Sequence, residues 1–474
     1  MAFNAVVRGG GEIFAKLASL VFFLAVARQL GEGIFGDLMF ALSFTTVMTL
    51  PSGFGTEELI ARDVARDPES VHSYASNVML IKVVLSVVLL ALAIGIVVVA
   101  GYPAEVQLAV VIVGASVAIE NLGRTWHAVF QAYQRMEFVS LALIVQRVLT
   151  AAAGVAVLIA GGGLLEVSFV MLGSSIVGFT VATASMQRWV VALRPSIDRK
   201  QWMGLFRAGL PIGMVAVLVT ALVKIDQTLI SFLSENGNRE VGFYAAAFRL
   251  IEATMFIGWA VSAAMLPWFA SDGERDRMAG GFELATKATA AVLVPVGLVF
   301  VLFAEPLIDL LYGDAYGPAV APLRYLGAMV VFLGINNLAA ILLVARDRPA
   351  AFARAAAVVL VANIALNVIT IPVYGATGAA AVAALSAFLL FALGFRLVRS
   401  LTGRLNLGRA LAGPIAGGAL MSATVLVASL PPIAEVVAGS LAYVVGLAAF
   451  ERLVFPADFK VARGFTLRRT ARAA

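Results

Sequence analysis

The chain has no cysteine and only two histidines in 474 residues. Disulfides, thiolate metal sites and cysteine nucleophiles are therefore excluded, and two histidines without an HExxH arrangement leave no ligand set for a zinc enzyme. Charge is scarce as well: 13% of residues are Asp, Glu, Lys or Arg against 61% hydrophobic, with a mean hydropathy of +0.98. A soluble domain carries about a quarter charged residues, so soluble classes fall away. No GxxxxGK[ST] phosphate loop is present, which removes direct ATP hydrolysis as an energy source. On one side of the apolar runs no gap exceeds about ten residues. That is too short for the acceptor-binding domain that membrane glycosyltransferases, ligases and polymerases carry, so an enzyme is not expected, and neither is a cofactor.

What fills the chain is a series of about fourteen apolar stretches of roughly twenty residues, the length a helix needs to cross about 30 Å of hydrocarbon. They lie near residues 10–30, 38–60, 78–100, 106–130, 138–161, 164–188, 209–234, 243–269, 284–311, 318–345, 352–373, 376–397, 409–429 and 433–454. The expected fold class is an all-α polytopic membrane protein with about fourteen transmembrane helices. Lys16 and Arg28 interrupt the first stretch and no Ala-x-Ala exit follows it, so it is expected to stay as a span and not to leave as a signal peptide.

Basic residues crowd alternate gaps. Arg188, Arg194, Arg199, Lys200 and Arg207 share one; Arg396, Arg399, Arg404 and Arg409 another; Arg452, Lys460, Arg463, Arg468, Arg469 and Arg472 form a tail. The intervening gaps hold only Arg239. The positive-inside rule then puts both termini in the cytoplasm. The preference for Arg over Lys and the abundance of Ala, Val and Gly point to a GC-rich, bacterial genome, and so to the plasma (inner) membrane. The net charge of +6 reads as this orientation and as attraction to membrane lipids, not as a nucleic-acid partner.

An internal echo divides the chain. Gly33-Ile34-Phe35-Gly36 opens the second span, and Val241-Gly242-Phe243-Tyr244 opens the eighth. Gly161-Gly162-Gly163 precedes the sixth span, and Tyr374-Gly375-Ala376-Thr377-Gly378 the twelfth. An offset of six spans keeps orientation, so two six-helix lobes related by an axis along the membrane normal are expected, with the site between them. The boundaries expected are an N-terminal lobe over residues 1–190, a cytoplasmic linker over 191–208, a C-terminal lobe over 209–400, and two accessory helices with a basic tail over 401–474.

Several motifs now stand in order: Arg28-Gln29-Leu30-Gly31 with Phe35-Gly36; Gly209-Leu210-Pro211; Lys224-Ile225-Asp226-Gln227; Val241 through Arg249; Leu310-Leu311-Tyr312-Gly313; and Ile371-Pro372-Val373-Tyr374-Gly375. Together they resemble the polysaccharide-transport flippases of the multidrug, oligosaccharidyl-lipid and polysaccharide exporter superfamily. The resemblance covers the first twelve spans. It implies alternating access around a cavity between lobes and transfer of a polyprenyl-diphosphate-linked oligosaccharide from the inner to the outer leaflet. It also implies contact with the polysaccharide polymerase and export machinery. A multidrug or cation antiporter of the same superfamily and a peptidoglycan lipid precursor flippase stand as alternatives.

An anionic lipid head group crossing hydrocarbon calls for cations along its path. Lys224 and Arg147 lie deep in spans seven and five, and Arg28 and Arg249 are expected to form a cationic rim at the outer side. Glu120, Arg124, His127 and Gln131 recur at i, i+4, i+7 and i+11, one face of span four that is either a cavity wall or a seam in which Glu120 pairs with Arg124. These make Lys224, Arg147, Arg124, Arg249 and Arg28 the substrate-binding candidates, and Asp226, Glu252 and Glu120 the candidates for coupling to protons or sodium. Asn363, Asn367, Thr370 and Tyr374 form a polar face on span eleven, suited to sugar hydroxyls or to interhelical hydrogen bonds. Pro51 with Gly53 and Gly55, and Pro295 with Gly297, are expected to interrupt spans two and nine near mid-membrane.

Overall fold

The computed structural model describes residues 2–194, 196–270, 275–428 and 430–455, and every regular element among them is helical. The tail residues Lys460, Arg463, Arg468, Arg469 and Arg472 lie outside the described residues. The α-helices are α1 (Ala2–Thr49), α2 (Thr56–Arg66), α3 (Val71–Val99), α4 (Ala104–Ala132), α5 (Met136–Ile159), α6 (Leu164–Ser185), α7 (Trp202–Leu233), α8 (Gly237–Ala270), α9 (Arg275–Leu302), α10 (Ala304–Tyr312), α11 (Val320–Ala345), α12 (Pro349–Thr402), α13 (Leu407–Ala428) and α14 (Pro432–Val454).

Among the described residues, 12 helical segments are long and apolar enough to cross a membrane. Two of them, in α1 and α12, double back, so the chain is a multi-pass membrane protein whose crossings match the hydropathy pattern. Glycine makes both reversals: φ is 76° at Gly31 and 52° at Gly375, a region that a Cβ disfavours. The halves of α12 lie side by side, since Asn363 donates to the Ser386 hydroxyl at 3.1 Å. Leu20 and Leu42, from opposite halves of α1, line one cavity.

Span two ends earlier than its hydropathy suggested. Its helix stops at Thr49, a 3₁₀ turn covers Leu50–Ser52, and φ is positive at Phe54 and Gly55 before α2 begins. Glu57, Glu58, Arg62 and Asp63 give α2 a polar face, while Leu59, Ile60 and Val64 are buried. The break is thus not at mid-membrane but at the end of the bundle that carries the linker, where Phe54 stacks on Phe206 of α7 with ring centroids 4.1 Å apart. Pro295, by contrast, sits within an uninterrupted α9.

The helices gather into two groups. α1 packs on α4 and α5, α4 on α3 and α6; in the second group α11 packs on α8, α9 and α12, and α7 on α12. α13 and α14 pack on each other and dock through α9, where Lys287 pairs with Glu451 at 2.9 Å. The linker lies on α3: Asn77 Oδ1 accepts from the Asp198 backbone N–H at 3.0 Å and from Trp202 Nε1 at 2.9 Å.

α1 against α7 and α8 joins the groups, and it does so tightly at the end away from the linker. There Arg239 pairs with Glu32 at 3.0 Å, Asn238 donates to Asp37, Tyr102 shares a 2.6 Å hydrogen bond with Ser231, and the Tyr316 hydroxyl donates to the Ala27 carbonyl at 3.0 Å. Beneath them Phe40 stacks on Phe44 and Tyr102, and Phe232 meets Phe40 and Phe44 edge-on. Backbone meets backbone at two glycines: a Cβ on Gly36 would stand 1.6 Å from the Asn238 carbonyl oxygen, and one on Gly242 2.1 Å from that of Glu32. No other residue permits this approach.

Gly36→Val should therefore pry this end open. Spin labels on cysteines introduced at Gly33 and Asn236, both exposed in a chain without native cysteine, should report a distance several ångströms longer than in the parent. An unchanged distance would mean that the glycine contact does not set the closure.

Candidate functional site

The polar face of α4 looks into a line of three adjoining cavities. The central one, about 430 Å³, lies between the helix groups and is lined by Lys16 and Ser19 of α1, Ser116 and Glu120 of α4, Arg147 of α5, and Arg249 and Glu252 of α8. A neck of about 100 Å³ follows, with Glu120, Arg124, His127, Gln146 and Arg147 in its wall. It leads to a third cavity of about 550 Å³ near the linker end, bounded by Glu57, Glu58, Arg124, His127, Gln131 and Met136. Successive cavities share residues, so the i, i+4, i+7, i+11 stripe from Glu120 to Gln131 is their common wall.

Each carboxylate of the central cavity is held by cations. Glu120 accepts from Arg147 at 3.2 Å, from Gln146 at 2.6 Å and from Ser175 at 3.3 Å. Glu252 takes Arg249 at 2.6 Å on one oxygen and Lys224 on the other, and its backbone carbonyl accepts from Lys16 at 3.3 Å. The Arg249 guanidinium also lies 3.7 Å from the centre of the Phe23 ring, a cation–π contact that fixes it in the wall. Among the described lining residues, Lys16, Arg147 and Arg249 stand against Glu120 and Glu252, so positive charge is in excess. Such a wall suits an anion with several acceptor oxygens, because guanidinium groups meet phosphate in a bidentate fork.

The candidates named from sequence divide. Arg147, Arg249, Glu120 and Glu252 meet in the central cavity, and Arg124 lines the neck and the third cavity. Lys224 does not line the central cavity: its bond to Glu252 draws it behind that side chain, over the Phe248 ring. Arg28 does not form a rim with Arg249. It is exposed and donates to the Leu310 carbonyl, the behaviour of a long side chain reaching for the interface. Glu120 pairs across helices with Arg147, not with Arg124 on its own helix, and Arg62 pairs with its neighbour Asp63 at 2.7 Å.

Asp226 lies elsewhere, beside a small cavity of about 60 Å³ within the second helix group. Its carboxylate accepts from the Tyr244 hydroxyl at 2.9 Å and from Asn367 at 2.8 Å, and Asn367 donates to Asn363 at 3.1 Å. The polar face of span eleven is therefore interhelical: Asn363 and Asn367 are fully buried, Thr370 bonds back to Leu366, and Tyr374 is 66% exposed. No cationic side chain pairs with Asp226 among the described residues.

Two span lysines, Lys16 and Lys82, were not among the site candidates named from sequence. Lys16 was one of the few charges in the first span, yet nothing local tied it to Arg249. Lys82 is fully buried on α3, where it bonds Glu57 at 3.3 Å and the Asn121 carbonyl at 3.1 Å. Burial disfavours the ionised form of Glu57, but the Lys82 and Arg124 charges outweigh it and hold that carboxyl below its ordinary range. Burial and the adjacent Glu57 charge push Glu58 the other way.

A family model described as "Polysaccharide biosynthesis protein" matches residues 2–271. The probable low-salt glycan biosynthesis flippase Agl15 of Haloferax volcanii is 26% identical over 149 residues, 31% of this chain and 32% of that protein. The match thus spans about a third of that relative. Among solved structures, the lipid II flippase MurJ in an inward closed conformation superposes with a TM-score of 0.79 at 14% identity, covering 94% of this chain and 99% of the other. An inward-facing multidrug resistance transporter of the MATE family gives 0.67 at 16% identity, covering 84% and 99%. These likenesses show a shared fold.

Removing a carboxylate from the pair network strands its cations. Glu252→Gln should lower stability by about 2 kcal/mol, less than the roughly 3–5 kcal/mol of a fully buried pair because the Lys224 and Glu252 side chains stay 18% and 24% exposed. Adding Lys224→Met should recover part of the loss. A double-mutant cycle by thermal unfolding in detergent measures the coupling, and additive effects would contradict the bridge.

Proposed function

The chain belongs to the polysaccharide biosynthesis protein family, and from that premise we propose that it is a flippase carrying a polyprenyl-diphosphate-linked oligosaccharide from the inner to the outer leaflet. It acts as a transporter and not as an enzyme, in a bacterial inner membrane with both termini in the cytoplasm, the orientation that the basic loops at the linker end favour. The observation that carries the reading is the cation excess of the central cavity, set by Lys16, Arg147 and Arg249.

A diphosphate brings about two negative charges that hydrocarbon cannot solvate. Arg147 and Arg249 supply charge-assisted hydrogen bonds in the water-filled cavity, while the polyprenyl tail stays in lipid. The closure at Gly36 and Gly242 keeps the outer leaflet shut while the head group loads from the cytoplasmic side, as alternating access requires. A cationic drug would meet like charge here, which speaks against the antiporter alternative.

Coupling falls to Asp226. Glu120 and Glu252 already neutralise arginine and lysine, whereas Asp226 is buried among amides and hydroxyls that can turn toward a proton or a sodium ion. Tyr244 ties it to α8, the helix that also carries Arg249 and the closure.

Proteoliposomes loaded with a fluorescent polyprenyl-diphosphate sugar test the reading. Arg147→Ala and Arg249→Ala should each slow translocation about ten- to a hundredfold, the loss of about 1.5–3 kcal/mol per charged hydrogen bond. No translocation by the parent protein, with cationic dye movement in its place, would overturn it. Asp226→Asn should abolish the response of the rate to an imposed proton or sodium gradient; an unchanged response would remove Asp226 from coupling.

A further inference from the structure

The third cavity differs chemically from the central one. It belongs entirely to α2, α4 and α5 of the first helix group, holds about 550 Å³, and is lined by Glu57, Glu58, Arg124, His127, Gln131 and Met136. Positive charge is not in excess here. Lys82, buried behind the wall, pairs with Glu57, and Arg124 faces Glu58 across the space. An anion gains little from so balanced a lining. A polyol gains much, because carboxylates accept, guanidinium and amide groups donate, and each sugar hydroxyl does both. The Arg124 and Gln131 side chains are exposed, and although the Arg124 charge acts on Glu57 and Glu58, neither side chain makes a hydrogen bond among the described residues. Their hydrogen-bonding capacity is thus open to a ligand, and Met136 offers an apolar surface to the C–H face of a ring. The volume lies in the range of cavities that enclose small ligands.

Its position fits one end of an elongated molecule. From Glu120 at the central cavity to Gln131 is eleven residues of helix, roughly 16 Å at 1.5 Å per residue, and the Arg124–His127 neck runs between. We propose that this cavity is the glycan subsite: with the diphosphate among Lys16, Arg147 and Arg249, the oligosaccharide runs along α4 and its distal sugars bind Glu58, Arg124 and Gln131. This inference rests on the transport reading and adds a specificity element to it. Neutral sugars are favoured, since so balanced a lining offers uronic and other acidic residues no net attraction.

Two experiments decide it. In the first, full-length protein in nanodiscs is irradiated with a polyprenyl-diphosphate trisaccharide of neutral hexoses carrying a diazirine on its terminal sugar. Label is expected in the peptide around residues 124–139, competed by the same lipid without the diazirine; label confined elsewhere would overturn the proposal. The measurement needs no turnover, so labelling at α4 without translocation would sink the transport reading and keep the site. In the second, proteoliposomes compare that trisaccharide lipid with bare polyprenyl diphosphate. Glu58→Gln with Gln131→Ala should cut the trisaccharide rate about tenfold more than the bare-lipid rate, whereas Arg249→Ala should cut both alike. Equal effects of the first pair on the two lipids would mean that the cavity is a hydrated vestibule only.

Discussion

Glu252 holds two cations at once, and much of the site depends on it. Arg249 and Lys224 reach its two oxygens from α8 and α7, and Lys16 reaches its backbone carbonyl from α1. Inside a bilayer a lone ammonium or guanidinium is costly, so a cavity cannot simply be lined with bare cations. One carboxylate shared between two cations, with its backbone carbonyl taking a third, lowers that cost while leaving positive charge over. The Glu120–Arg147 pair repeats the device on the facing wall. A polar, wet cavity thus survives within helices whose other faces are apolar.

The same helix that carries Glu252 and Arg249 also closes the far end. Asn238, Arg239 and Gly242 form the contacts to α1, and Tyr244, about half a turn further on, bonds Asp226. The contacts at the far end, the cation-lined cavity and the partner of the buried Asp226 are therefore all placed by α8. Glu240 extends the connection by accepting from the Ala376 N–H at 2.8 Å, at the break where α12 reverses. Two-state closure needs such a stiff element, since packed interfaces switch between arrangements and do not bend continuously.

How much of this could be read from the chain follows from range. The crossings and the α4 stripe are local patterns, and each keeps its meaning in the structure: Glu120, Arg124, His127 and Gln131 line the cavities. Gly31 and Gly375 stood between apolar runs, where a reversal was needed. Pairings were not legible. Lys224 and Glu252 are 28 residues apart on different helices, and Asp226 and Asn367 are 141 apart. Sequence spacing suggested Glu120 with Arg124, but tertiary packing gave Glu120 to Arg147. Pro51 marked a break, yet hydropathy could not show that the following segment, polar on one face, leaves the span and forms α2.

The central claim is that the cavity between the helix groups binds the diphosphate of a lipid. Native mass spectrometry of the purified protein with polyprenyl diphosphate and with polyprenyl alcohol, for the parent and for Arg147→Ala and Arg249→Ala, tests it most directly. The account predicts strong retention of the diphosphate lipid by the parent, loss of that retention in both variants, and weak binding of the alcohol throughout. Equal binding of the two lipids, or retention indifferent to both arginines, would contradict it.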